Sequence, residues 1–160
     1  MNSYKKSANA VFFWTPILIY RVLFFLSTQV MIYPDSRGYM NYPFSNFIHG
    51  QLSGRTPVYP FVIRVFQKLV GDMYYLEAVT IFQSIISFIA VIYFFRICQL
   101  FSINKLFATI LVYLYGLNTS IIGWDRLILT ESLALSLIVI TFFYTFDFIK
   151  RCSIKSAIIA

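Results

Sequence analysis

The most constraining feature of this chain is a series of apolar runs, each approaching the length needed to cross a bilayer and separated by a few charged residues. Crossing a hydrocarbon core roughly 30 Å thick at 1.5 Å per residue takes about 20 apolar residues in a helix. Four runs meet or approach that length, over about residues 9–32, 75–97, 106–122 and 127–149. The composition agrees, with 59% hydrophobic and only 12% charged residues, about half the charged fraction of a soluble domain. That much apolar surface has to face lipid, where a backbone must satisfy its own hydrogen bonds and is therefore helical. The expectation is an all-α polytopic membrane protein, one domain of about four transmembrane helices.

The net charge of +7 does not point to nucleic acid, because the basic residues stand singly between apolar runs and form no continuous patch. They read as flanking charges that orient a membrane protein. With the N-terminus cytoplasmic, Lys5, Lys6, Arg96, Lys105, Lys150, Arg151 and Lys155 lie inside, as the positive-inside rule requires. Asp35, Asp72, Glu77, Asp125 and Glu131 then fall at the outer ends, leaving only Asp147 inside. Cys98 and Cys152 sit on the cytoplasmic side and read as reduced, packing thiols. The N-terminal M-N-S-Y-K-K resembles a signal-peptide n-region, but the apolar run after it is too long and has no A-x-A site, so it reads as a retained span. Pro16 and Arg21 interrupt that span. Arg21 either faces protein or water or snorkels to the near headgroups.

One loop breaks the apolar pattern. Residues 33–74 include four of the six glycines and the only histidine, His49. A lone histidine in a loop reads as a surface residue more readily than as a metal ligand. Within the loop, residues 56–70 are amphipathic: Val58, Phe61, Val62, Val65, Phe66 and Leu69 recur at helical spacing, with Arg64, Gln67 and Lys68 opposite. At about fifteen residues the segment is too short to span, so it is expected to lie in the membrane interface. Thr56-Pro57 supplies a cap and a first-turn proline, and Gly71-Asp72 ends it.

Two acidic positions frame the chemistry. Asp35 follows the first span in P-D-S-R-G-Y, where it or Ser36 can simply cap a short helix. Asp125-Arg126 form the turn between the third and fourth spans, and Glu131 comes shortly after, in L-I-L-T-E-S-L. A carboxylate one turn inside an apolar span either lines a polar cavity or is held by internal bonds between helices. Because both loops are external, Asp35, Asp125 and Glu131 can converge on one surface. Carboxylates there can act as a general base or hold a divalent metal ion, with Asp35 and Glu131 as its ligands. Arg37, Arg55 and Arg126 can pair with a phosphate or pyrophosphate leaving group.

Three pieces in this order, Asp35-Ser36-Arg37-Gly38-Tyr39, Arg55-Thr56-Pro57-Val58-Tyr59-Pro60 and Leu129-Thr130-Glu131-Ser132-Leu133, together with the helix in the first external loop, resemble a known group. They look like the N-terminal part of bacterial GT-C polytopic glycosyltransferases, the family 39-like set related to protein mannosyltransferases and aminoarabinose transferases. The resemblance covers most of the chain. It implies transfer of a sugar from a polyprenyl-phosphate donor to an acceptor at the outer face of the bacterial cytoplasmic membrane. It further implies that Asp35 is the catalytic base or metal-linked residue, and that Arg55, Tyr59 and Glu131 belong to the donor and cation site.

Asn41 and Pro43 depart from the helical continuation expected after Tyr39, so the first loop helix should be short. Family members also have many more spans, whereas this sequence stops where a fifth would begin, at about residue 156, which suggests a fragment that is inactive alone. A rival reading is a non-catalytic polytopic subunit or transporter fragment in which Glu131 couples to ions or a partner. Broken paired helices, internal repeats and small-residue packing faces would mark that alternative, and the sequence has none of them.

Overall fold

A computed structural model describes the backbone of residues 2–45 and 55–151 and, within these, the side chains from Phe12 to Lys150. His49, Cys152, Lys155 and the run expected to open a fifth span lie outside the described residues.

The described chain is helical, with no strand. Its helices are α1 (Asn2–Ser27), α2 (Pro34–Met40), α3 (Val58–Val70), α4 (Tyr75–Leu100), α5 (Lys105–Gly116), α6 (Thr119–Trp124) and α7 (Glu131–Arg151). Among the described residues three stretches are long and apolar enough to cross a membrane: Tyr75–Leu100, Lys105–Trp124 and Glu131–Lys150. The apolar part of α1, Phe12–Ser27, is shorter, where the sequence led to a first span reaching residue 32. The helix stops early because Met31 enters a parallel backbone bridge with Leu127, and bridge geometry excludes helical dihedrals.

The second of the three stretches is two helices rather than one. Asn118 sits in extended conformation, and its side-chain oxygen accepts the N–H groups of Ser120 and Ile121 at 2.9 and 3.2 Å. This N-cap restarts the helix as α6. A further departure lies just beyond. The fourth span was expected from residue 127, but α7 begins only at Glu131, and residues 125–129 form a non-helical segment that is buried throughout.

α4 is the central element, packed against α3, α5 and α7. Two apolar clusters flank it. One joins Ile17, Val91 and Val112 from α1, α4 and α5. Gly116 lets these helices approach closely, since a Cβ there would stand 3.1 Å from Ile17 and 3.2 Å from Val91. The other joins Tyr59 and Ile63 of α3 to Val79 of α4 and Ile128. α3 thus divides the broad apolar arc read from its sequence. One half packs on α4, while Val58, Phe61 and Leu69 remain 70%, 61% and 71% exposed. Its N-cap is Pro57 with no side-chain cap bond, so Thr56 does not play the capping role expected of it, and Gly71 ends the helix at φ 80°.

Candidate functional site

α2 begins on Pro34, whose fixed φ suits the first helical turn. Ser36 Oγ accepts the Tyr33 N–H at 2.9 Å, so Ser36 secures the helix start and leaves Asp35 facing out. Asp35, Gly38 and Tyr39 stand at i, i+3 and i+4, the spacing that places residues on one helix face. That face holds Arg55. Its Nη2 donates to Asp35 Oδ1 at 2.7 Å, and its guanidinium carbon lies 4.5 Å from the Tyr39 ring centroid. A Cβ on Gly38 would come within 2.6 Å of Arg55 Nε, so the absent side chain is what lets the guanidinium lie against the helix. The hydrogen bond to Asp35 raises the Arg55 pKa above its ordinary value. Arg37, on the opposite side of α2, is exposed.

The ion pair stands at the edge of a cavity of about 690 Å³, lined by Gly38, Tyr39, Asn41, Tyr42, Pro43, Arg55, Thr56 and Thr130. Asp35 itself is open to solvent, its side chain 73% exposed against 31% for Arg55. Thr130 brings in the start of α7, and its hydroxyl lies 3.4 Å from Glu131 Oε2. Glu131 was expected one turn inside a span, but it is the first residue of α7 and exposed. Tyr59 lies beneath, edge-on to Tyr39 with ring centroids 5.3 Å apart. Burial pushes its phenol pKa up, and the charge of Glu131 adds to the effect.

The remaining predicted residues do not join this surface. Asp125 and Arg126 were read as an open external turn; both are buried, at 1% and 5% exposure. Asp125 accepts from Arg21 Nη1 at 3.3 Å and from Ser132 Oγ at 2.5 Å. Arg21 also donates to Ser87 Oγ at 3.0 Å and to the Gly116 carbonyl at 3.1 Å, so it faces protein. Arg126 donates to Thr80 Oγ1 at 2.9 Å and to the Thr28 carbonyl at 2.6 Å, with its guanidinium 3.8 Å from the Phe25 ring centroid. In an apolar layer a charge persists only when paired in this way. The expected convergence of Asp35, Asp125 and Glu131 therefore fails at Asp125, which belongs to the frame under the site.

That frame is what brings the loop to α7. Met31 N donates to the Arg126 carbonyl at 2.8 Å and Ile128 N to the Met31 carbonyl at 3.2 Å, joining the start of the loop to the approach to Thr130. Gln83 locks the arrangement from α4. Its Nε2 donates to the carbonyls of Asp125 and Leu127 at 3.1 and 2.9 Å, while its Oε1 accepts the Tyr59 hydroxyl at 2.5 Å. Sequence reasoning passed over Gln83, Thr80 and Ser87. The signal was present, because their spacing of three and four residues puts a polar stripe on one face of an apolar helix.

A divalent cation needs several oxygen ligands around one point. Among the described residues no group of three or more His, Cys, Asp or Glu side chains is placed to hold one, and Asp35 already engages Arg55. No protein-family model, curated protein or solved structure matches this chain.

Proposed function

We propose that the chain is a membrane glycosyltransferase of GT-C type, or the N-terminal part of one, moving a sugar from a polyprenyl-phosphate donor to an acceptor at the outer face of a bacterial cytoplasmic membrane. The observation that carries this reading is the Asp35–Arg55 pair, held at 2.7 Å on the edge of a cavity. One carboxylate and one guanidinium side by side match the two charges the reaction handles. As the acceptor hydroxyl attacks the anomeric carbon, its proton passes to Asp35, which acts as general base. The bond from that carbon to the phosphate oxygen breaks, its electron pair leaves with the phosphate, and Arg55 receives the anion. Tyr39 keeps the guanidinium in position through both events. Thr130 and Glu131 offer hydroxyl and carboxylate groups to the sugar.

The test is sugar transfer in vesicles holding the full-length protein and a radiolabelled polyprenyl-phosphate sugar. Asp35→Asn is expected to lower transfer by about 10²–10⁴-fold, the usual contribution of a general base, with membrane insertion unchanged by flotation. Transfer at the wild-type rate in that variant would remove Asp35 from the site. The absence of transfer by the wild-type full-length protein with every such donor would reject the reading.

A further inference from the structure

We propose that the crevice between the far ends of α4 and α7, away from the Asp35 cavity, binds the headgroup phosphate of an anionic phospholipid. The cavity is about 600 Å³ and is lined by Arg96, Gln99, Leu100, Phe143 and Lys150. Its depth in the membrane follows from the helices. Leu100 and Lys150 are the last residues of their membrane-crossing stretches, so the opening lies where a bilayer passes from acyl chain to headgroup.

The lining suits an amphipathic anion. Lys150 Nζ donates to the Leu100 carbonyl, which fixes the ammonium at the rim and covers a helix-end oxygen that would otherwise repel a phosphate. The Arg96 guanidinium carbon lies 5.2 Å from the Tyr93 ring centroid. That contact occupies one face of the group and leaves its N–H edges, which are the part that grips phosphate oxygens. Gln99 adds an amide donor. Asp147 is the one carboxylate at this end among the described residues and is half-buried on α7, against the described cations Arg96, Lys105 and Lys150. Leu100 and Phe143 supply apolar walls, which a free phosphate leaves bare but the first methylenes of a lipid cover. Basic pockets between helices at a membrane face commonly hold anionic headgroups in this manner. Tyr93 and Tyr144 join α4 to α7 through a 2.7 Å hydroxyl contact.

The experiment is native mass spectrometry of the full chain released from nanodiscs of mixed phosphatidylglycerol and phosphatidylcholine. Phosphatidylglycerol is expected to be retained in preference. Arg96→Gln is expected to lower that retention about fivefold, the order associated with one basic residue at an anionic surface, and Arg64→Gln at the other end to leave it unchanged. Equal retention of the two lipids by the wild-type chain overturns the proposal, and this arm decides alone if Arg96→Gln does not fold. Full retention in a folded Arg96→Gln variant also overturns it, as does displacement of the lipid by millimolar inorganic phosphate, which would assign the site to the free anion.

Discussion

The Arg21 guanidinium lies 3.3 Å from the Asp125 carboxylate across 104 residues of chain, with the two side chains 7% and 1% exposed. This pair fastens α1 to the segment before α7. Removing one member leaves the other charge buried, which typically costs about 3–5 kcal/mol. Asp125→Ala and Arg21→Ala are each expected to lower stability in micelles by that order. The apolar double substitution Arg21→Met with Asp125→Leu is expected to recover most of the loss, because an ion pair and a well-packed apolar pair are often near equal. Denaturation followed by circular dichroism checks both, and additive losses in the double variant would show that the pair is not coupled.

Gly38 separates stability from site geometry. The three atoms nearest a Cβ there all belong to the flexible Arg55 side chain, the closest being Nε at 2.6 Å. Gly38→Ala is expected to leave stability nearly unchanged, since the ion pair it disturbs is exposed. The Arg55 contacts with Asp35 and Tyr39 should nevertheless break. The ¹⁵Nε resonance of Arg55 reports this directly; an unchanged signal in the alanine variant would mean that the cradle is not needed.

Gln83 is the joint between the site and its frame. Gln83→Leu leaves the Tyr59 hydroxyl and the carbonyls of Asp125 and Leu127 without their partner, at about 1–3 kcal/mol per buried group. Tyr59→Phe removes a single hydroxyl and leaves one acceptor, so its loss is expected to be smaller. A double-mutant cycle between the two positions should show coupling above about 0.5 kcal/mol. Hydrogen exchange at Leu127 and Ile128 should accelerate in Gln83→Leu.

The Tyr59 phenol gives an alkaline limit to the fold around the site. Burial raises its pKa in the folded state, so the neutral form is the one the fold favours. The contribution is fully present below the unfolded tyrosine value of about 10 and is lost as pH climbs from there toward the folded value. Stability is therefore expected to fall above about pH 10. The fall should be shallower in Tyr59→Phe, and equal slopes in the two proteins would exclude Tyr59 as the titrating group.

Much of this architecture was legible residue by residue. The apolar stretches that became α4 and α7 announced themselves by length, because a single segment satisfies its own backbone in lipid only as a helix. The early end of α2 is foreshadowed by Asn41 and Pro43. The D-S-R-G-Y run was read as part of a candidate site, and its i, i+3, i+4 spacing is the one that puts Asp35, Gly38 and Tyr39 on one helix face. Neither the run nor its spacing showed that this face would hold Arg55, twenty residues later.

What stayed hidden is the role of Asp125 and Arg126. By position they belong to a turn, and turns are ordinarily exposed. Their burial depends on partners supplied from far along the chain: Arg21 from α1, Ser87 and Thr80 from α4, and the Thr28 carbonyl. The same holds for the start of α7, which waits until Glu131 because Met31 pairs with the backbone around Leu127. Local pattern thus determined which stretches are helical and apolar, since hydrophobic period and backbone satisfaction in lipid are properties of a single segment. Only the tertiary structure decided which charges face outward and which are sealed inside, because a buried charge is stable solely where a partner from another segment meets it.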